Sequence, residues 1–288
     1  MQVFENKTCV VTGAGGGFGL EFAREAARRG MRLVLADINP AALDAAARAF
    51  RAAGADVLAE CVDVSQPSQV ERLADLSYER FGAVHLLFNN AGVATGGYLW
   101  EHDPADWQWV LGVNLMGVVH GVRYFVPRML EQGVDGHIVN TASVAGLISP
   151  QLMGVYNVSK HAVVALSETL HHDLRVKGAA LGVSVLCPAF VPTGISQSER
   201  NRPGHLGASG PLTESMAAAK RSLDQAVNAG RLDAAAVASL TFEAIAEGRF
   251  YVLTHPRILG AVELRMQDIL QQRHPSDPFS ARPEHTPR

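Results

Sequence analysis

The segment Thr8-Cys-Val-Val-Thr-Gly-Ala-Gly-Gly-Gly-Phe-Gly19 opens on an apolar run and closes in a cluster of glycines. Its first part, Thr8–Thr12, reads as a short buried strand, and the stretch that follows, Phe18–Arg29, reads as a helix. Between them a backbone without Cβ can turn sharply and bring its N–H groups, with the positive end of the helix, against a diphosphate. The spacing is not G-x-G-x-x-G, because from Gly13 that pattern meets Phe18 and from Gly15 it meets Leu20. What fits is T-G-x-x-x-G-x-G, over Thr12, Gly13, Gly17 and Gly19. A glycine-rich turn by itself also suits any tight loop, so the rest of the chain has to decide.

Outward from this turn, short Val/Ile/Leu-rich runs alternate with longer amphipathic stretches. Arg32–Ala36, Val57–Val62, Val84–Phe88, His137–Asn140, Val183–Leu186 and Phe250–Leu253 read as strands buried on both faces. Pro40–Ala53, Pro67–Phe81, Pro104–Glu131, Val155–Lys177 and Asp233–Glu247 read as helices, several opened by proline and closed by Gly30, Gly54, Gly82 or Gly178. Such alternation predicts an α/β fold: a single doubly wound Rossmann-type domain with a mainly parallel sheet of about seven strands and helices on both faces. Ligands of such sheets bind beyond the carboxyl ends of the strands. The domain is expected over residues 1–273. Residues 193–231, rich in Ser, Gly, Asn, Pro and charge, are expected as a lid with a helical patch at Glu214–Val227. Ile258–Arg273 reads as a further helix and 274–288, with four prolines, as a disordered tail.

Asp37 ends the second strand, 18 residues after Gly19, near the interval expected for an acid that holds an adenosine ribose. A carboxylate there accepts hydrogen bonds from the 2′-hydroxyl of NAD and repels the 2′-phosphate of NADP, and no Arg or Lys follows within Ile38-Asn39-Pro40 to reverse that preference. NAD is the expected cofactor. Asn39 is better placed than Asp37 to cap the helix beginning at Pro40.

Tyr156 and Lys160 stand four residues apart in a predicted helix, with Ser159 between them and Ser143 thirteen residues upstream of the tyrosine. That spacing places phenol and ammonium on one helix face. A phenol with a pKa near 10 is a poor base at neutral pH, and bringing it to ~7 takes roughly 4 kcal/mol of selective phenolate stabilisation. Lys160, together with a cationic nicotinamide ring, is expected to supply it.

With these motifs in hand, the chain resembles the short-chain dehydrogenase/reductase family over roughly residues 5–255. In that family T-G-x-x-x-G-x-G binds the cofactor, which implies Thr12, Gly13, Gly17, Phe18 and Gly19 here. The N-N-A-G segment matches Asn89–Gly92, so Asn90 and Gly92 are implied as cofactor-binding, Asn90 on the adenosine side, while Asp63-Val64 looks like the pair that contacts adenine. The catalytic Asn, Ser, Tyr and Lys fall on Asn114, Ser143, Tyr156 and Lys160. The resemblance implies Tyr156 as general acid/base, Ser143 on the substrate oxygen, Lys160 on the nicotinamide ribose, and Asn114 holding a water that relays protons toward Lys160. After the sixth strand the family usually reads Pro-Gly, whereas this chain reads Pro188-Ala189-Phe190-Val191-Pro192-Thr193. Pro188, Val191 and Thr193 still fit the nicotinamide end, but Ala189 would be strained if its backbone needs positive φ.

The implied activity is interconversion of a secondary alcohol and its ketone by hydride transfer to or from NAD. Ala145, Leu147, Met153, Phe190 and Ile195 form an apolar wall that suits a hydrophobic guest. Arg200, Arg202, Lys220 and Arg221 in the lid fit either an anionic substrate or a solvated face. The alternatives are an NADPH-dependent carbonyl or 3-oxoacyl reductase and a non-catalytic dinucleotide-sensing regulator. A net charge of −3 with scattered basic residues offers no footprint for nucleic acid or an anionic membrane. The N-terminus lacks a basic and apolar leader, no membrane span is expected, and Cys9, Cys61 and Cys187 read as reduced core thiols, all consistent with a cytoplasm. No metal is expected, since His171-His172-Asp173 lacks ligand spacing. A homotetramer or dimer is expected through Pro104–Glu131 and Val155–Lys177.

Overall fold

A computed structural model describes Met1, residues 3–207 and residues 210–280. Seven strands, β1 (Thr8–Thr12), β2 (Arg32–Asp37), β3 (Val57–Cys61), β4 (Leu86–Asn89), β5 (Gly136–Thr141), β6 (Leu181–Cys187) and β7 (Tyr251–Leu253), form one sheet. Their order is β3-β2-β1-β4-β5-β6-β7 and all pairings are parallel. The strand order reverses between β1 and β4, which opens a crevice at their carboxyl ends. Helices α1 (Gly17–Arg28), α2 (Pro40–Ala52) and α3 (Pro67–Phe81) connect the first four strands. The proline at the first position of α2 and α3 presets φ where no intrahelical N–H is needed, and Asn39 caps α2 by accepting from the Ala42 N–H. Gly82 closes α3 in the left-handed region at φ +75°.

Alternate strand residues feed two cores. Cys9, Val11, Leu33, Leu35, Leu86 and Phe88 pack on one face with Phe22 of α1 and Phe242 of α8 (Ala234–Glu247). There Phe22 stacks on Phe88 at 4.4 Å, and Phe88 tilts against Phe242 at 5.6 Å. Val10, Val34, Ala36 and Leu87 pack on the other face with α3, with Phe125 and Met129 of α5 (Gly117–Glu131), and with Leu170 and Leu174 of α6 (Gly154–Val176). Both faces are thus dry, which is why the strands are continuous apolar runs rather than alternating ones.

The stretch expected as one helix from Pro104 to Glu131 is continuous but not uniform: α4 (Pro104–Leu111) passes through a π turn at Gly112–Met116 into α5. By length and composition it would suffice to cross a bilayer, yet 56% of its most apolar window is buried in the fold. Gly121 lets it approach the sheet, where a Cβ would stand 1.9 Å from the Asn89 side-chain oxygen. Cys61 departs from its expectation. It ends β3, the edge strand, and is exposed, whereas Cys9 and Cys187 in interior strands are buried.

After β6 the chain forms 3-10 turns at Gly194–Asn201 and Gly204–Leu206, then α7 (Glu214–Asn228). Helix α9 (Leu259–Leu270) follows β7. Of the expected tail, residues 274–280 leave α9 without helix or strand, tied back by the Ser276 N–H to the buried Asp268 carboxylate at 2.8 Å; residues 281–288 lie outside the described residues.

Candidate active site

The glycine turn is shaped by three distinct requirements. Gly13 and Gly17 adopt φ of +69° and +53°, which side-chain-bearing residues rarely do. Gly19 has an ordinary φ, but a Cβ there would lie 2.0 Å from the Gly13 carbonyl oxygen, so glycine is what lets α1 start tight against the turn. The N-terminus of α1 has no side-chain cap and no acidic residue in its first turn, leaving its N–H groups for an anion. Phe18 stands beside them in the wall of a cleft of about 270 Å³.

At one end of that cleft lies Asp37, whose carboxylate accepts the Gly15 N–H at 2.8 Å and the Asn39 N–H at 2.9 Å. Each oxygen keeps a further lone pair to receive a hydroxyl. Asp63 and Val64 line the same end. Val64 is seated from behind by His120, whose Nδ1–H donates to its carbonyl at 2.8 Å, a contact no sequence motif announces. Thr12 and Gly19 do not line the cleft. The Thr12 hydroxyl donates to the Phe88 carbonyl at 3.2 Å and accepts the N–H groups of Asn90 and Ala91 at 2.9 and 3.1 Å, while the Asn90 amide donates to the Thr12 carbonyl at 2.9 Å. These bonds stitch the ends of β1 and β4 together and hold Asn90 and Gly92 in the cleft wall.

At the far end, Ser143 follows β5, and Tyr156 and Lys160 come from the first turns of α6, all three lining the cleft. A polar ladder fixes α6 to the sheet: the Asn89 amide donates to Asn140 at 2.9 Å, and the Asn140 amide to the Ser167 hydroxyl at 3.0 Å. Lys160 Nζ donates to the Thr141 carbonyl at 2.8 Å and stands 5.6 Å from the centre of the Tyr156 ring. Asn114 sits in the π turn behind this wall, its amide donating to the Val93 carbonyl at 2.9 Å and to the Ser159 hydroxyl at 3.0 Å, its oxygen accepting the Val93 N–H at 2.8 Å. All three bonds are made from within the π turn, a local widening of the helix. Gly92 leaves the floor open, since a Cβ would fall 3.5 Å from Asn114 Oδ1 and 3.6 Å from Lys160 Nζ.

The expected lowering of the phenol pKa is not what the protein alone produces. Enclosure pushes Tyr156 up to about 12, with the Ser143 hydroxyl pulling the other way, and enclosure brings Lys160 down to about 8. Burial penalises both charged forms and outweighs their proximity. The adjacent Cys187 thiol, buried in β6, is likewise raised to about 12 by burial. The concern over Ala189 disappears, since Asn6, Leu152 and Gln272 are the non-glycine residues at positive φ among the described residues.

Ala145, Met153, Phe190 and Ile195 line the cleft beside Tyr156, as do Pro188, Val191 and Thr193. Leu147 does not. The 3-10 turn at Val144–Gly146 carries it into the core packed around Val118 and Val163. Ile148, Pro150, Leu223, Val227 and Phe279 complete the wall. The segment that covers the cleft is pinned at both ends. Arg202, with 3% of its side chain exposed, pairs with Asp106 of α4 at 2.6 Å, and Glu101 accepts the hydroxyls of Thr213 (2.6 Å) and Ser215 at the start of α7.

Three comparisons bear on this geometry. The model of the short chain dehydrogenase family matches residues 7–204. The CLA biosynthesis dehydrogenase/reductase of Lactiplantibacillus plantarum is 34% identical over 272 residues, 94% of this chain and 95% of that protein. The 1-deoxy-11-beta-hydroxypentalenate dehydrogenase of Streptomyces exfoliatus is 35% identical over 254 residues, 87% and 84% of the two chains. Among solved structures, a short chain dehydrogenase/reductase from Burkholderia phymatum in complex with NAD superposes with a TM-score of 0.96 at 58% identity, covering 98% of this chain and 100% of that one.

Proposed function

The chain belongs to the short chain dehydrogenase family of oxidoreductases, and from that premise we propose that it interconverts a hydrophobic secondary alcohol and its ketone with NAD, Tyr156 serving as general acid/base. The observation that carries this reading is one continuous cleft with Asp37 at one end and Ser143, Tyr156 and Lys160 at the other. The choice of NAD rests on the Asp37 carboxylate and on the Burkholderia phymatum relative, whose structure holds NAD. The chain's residues fit such a dinucleotide along the whole cleft: an uncapped helix end for the diphosphate, Asp37 for the ribose, and an open floor at Gly92 for the nicotinamide side.

When bound, the oxidised cofactor supplies the hydride acceptor and a positive charge beside the phenol. Ser143 and Tyr156 hold the substrate oxygen, and the apolar wall of Ala145, Met153, Phe190 and Ile195 keeps water from it. With its pKa near 12 in the protein alone, the phenol keeps its proton at neutral pH and is ready to donate it to a ketone. For alcohol oxidation the proton has to leave. Bringing the pKa from about 12 to ~7 takes roughly 7 kcal/mol. An ammonium on Lys160, 5.6 Å from the ring centre, supplies about 3 kcal/mol at an effective dielectric of ~20, and the positive charge of an oxidised cofactor would supply the remainder. Within the expected lid, Ile195, Ser198, Leu223 and Val227 line the cleft and close over the substrate.

The test is absorbance of reduced nicotinamide on mixing the protein with NAD and a panel of aliphatic, aryl and alicyclic secondary alcohols. Tyr156→Phe should lower turnover at least ~100-fold while NADH binding persists. Turnover that survives the substitution removes Tyr156 from the chemistry.

A further inference from the structure

The sequence leaves open the fates of four basic side chains of the lid, Arg200, Arg202, Lys220 and Arg221, and the structure separates them. Arg202 is enclosed against Asp106 at 2.6 Å, with Asp103 and Glu199 at 3.9 Å, and is committed to holding the lid to α4. Lys220 turns to Asp224 at 3.6 Å and to the Ser196 carbonyl at 3.3 Å. Arg221 is exposed and stands outside the cleft wall. Arg200 is the one of the four that lines the cleft.

Its guanidinium is braced on one side. Nη1 donates to the Gly194 carbonyl at 3.4 Å, the Gln197 carbonyl at 3.3 Å and the Gln197 side-chain oxygen at 3.0 Å. Among the described residues no carboxylate pairs with it, and Nη2 and Nε donate to nothing. Its Nη2 packs against Gly194, where a Cβ would stand 2.5 Å from it. Arg200 is exposed, and its guanidinium lies in the lid side of the cleft wall. A braced guanidinium in the cleft wall, paired with no carboxylate among the described residues, is suited to the oxygens of a phosphate or carboxylate, which it can hold through two parallel bonds.

We propose that Arg200 is an anion-recognising residue of the cleft, closing over its ligand from the lid side. Two ligands present such oxygens there: the diphosphate of the dinucleotide, an assignment that rests on the proposed function, and a carboxylate carried by the substrate. Binding rather than turnover decides between them. NADH affinity is read by fluorescence titration for wild type, Arg200→Ala and Arg200→Lys, and the affinities of acetophenone and 4-acetylbenzoate for each NADH complex are read by its quenching. If the anion is the diphosphate, Arg200→Ala weakens NADH binding about tenfold, Arg200→Lys recovers part of the loss, and the difference narrows as salt is raised. If it is a substrate carboxylate, NADH affinity holds and wild type's preference for 4-acetylbenzoate over acetophenone disappears in Arg200→Ala. Unchanged NADH affinity with no carboxylate preference lost, including the case in which wild type has none, overturns the proposal. Wild type that binds no NADH removes the dinucleotide reading itself, and is thereby distinguished from a failure confined to Arg200.

Discussion

A methionine in place of Lys160 should abolish activity and yet stabilise the fold at neutral pH, by an amount that vanishes in alkali. Lys160 holds its ammonium in full enclosure, and burial lowers its pKa from 10.5 to about 8. Folding thus favours the neutral amine. Below the folded pKa the enclosed group carries its proton at a cost; between about 8 and 10.5 the unfolded chain still binds that proton and the folded chain does not, so stability rises with pH across that window. The depression, 10.5 − 8 or about 2.5 units, corresponds to about 3 kcal/mol at pH 7 and under about 1 kcal/mol at pH 10.5. Lys160→Met keeps the aliphatic stem and removes the titrating nitrogen, but leaves the Thr141 carbonyl without this donor, which offsets about 1–2 kcal/mol. The net gain at pH 7 is therefore about 1–2 kcal/mol. The diagnostic quantity is how far the variant-minus-wild-type difference moves between the two pH values, about 2–3 kcal/mol, because titration of the other groups cancels in it. Urea unfolding of the dinucleotide-free protein at pH 7 and pH 10.5, followed by the fluorescence of buried Trp109, measures it. A difference that is the same at both pH values would refute the reasoning, since it would mean the ammonium is not desolvated by folding.

Two further substitutions test the cofactor end. Gly19→Ala puts a Cβ 2.0 Å from the Gly13 carbonyl oxygen, so the turn or α1 has to move; the melting temperature should fall, with about 1–3 kcal/mol of stability lost, and NADH titration should lose its response. Binding equal to wild type would show slack in that turn. Asp37→Ala removes the repulsion of a 2′-phosphate, and the ratio of NADPH to NADH dissociation constants should fall at least about tenfold. Because Asp37 also accepts the Gly15 and Asn39 N–H groups, an equal weakening of both would assign it to loop geometry instead of cofactor choice.

Much of the architecture was legible because backbone sterics and helix ends leave local marks. Pro67 and Gly82 bracket α3 as predicted, Asn39 caps α2, and the apolar runs located all seven strands to within a few residues. Tyr156, Lys160 and Ser143 were found because a motif fixes their spacing, and the fold brings them to one wall. What the sequence hid depends on contacts between distant segments. The π turn at Gly112–Met116 answers to Val93 and Ser159, neither of them near it in sequence. Leu147 and Ile148 are adjacent apolar residues, and only the 3-10 turn before them decides which one reaches the cleft. Arg200 and Arg202 look alike in a polar loop, but Asp106 on another helix claims the second and leaves the first. Phe279 enters the wall from a stretch whose composition suggested no fixed position. The enclosure that raises the tyrosine's pKa in the protein alone was hidden for a related reason: helical spacing reports a neighbouring charge and says nothing of burial.

The bonds between Thr12 and Asn90 mark more than a join between strands. Before Asn90 in sequence lie the cleft residues proposed for the adenosine end, Gly13, Gly15 to Phe18, Asp37 and Asp63; after it lie Ser143, Tyr156, Lys160 and the apolar wall. Choice of electron carrier and choice of chemistry are therefore written on separate lengths of chain. The Thr12 hydroxyl and the Asn90 amide tie those lengths together where β1 and β4 end, so a change at the seam would be felt in both.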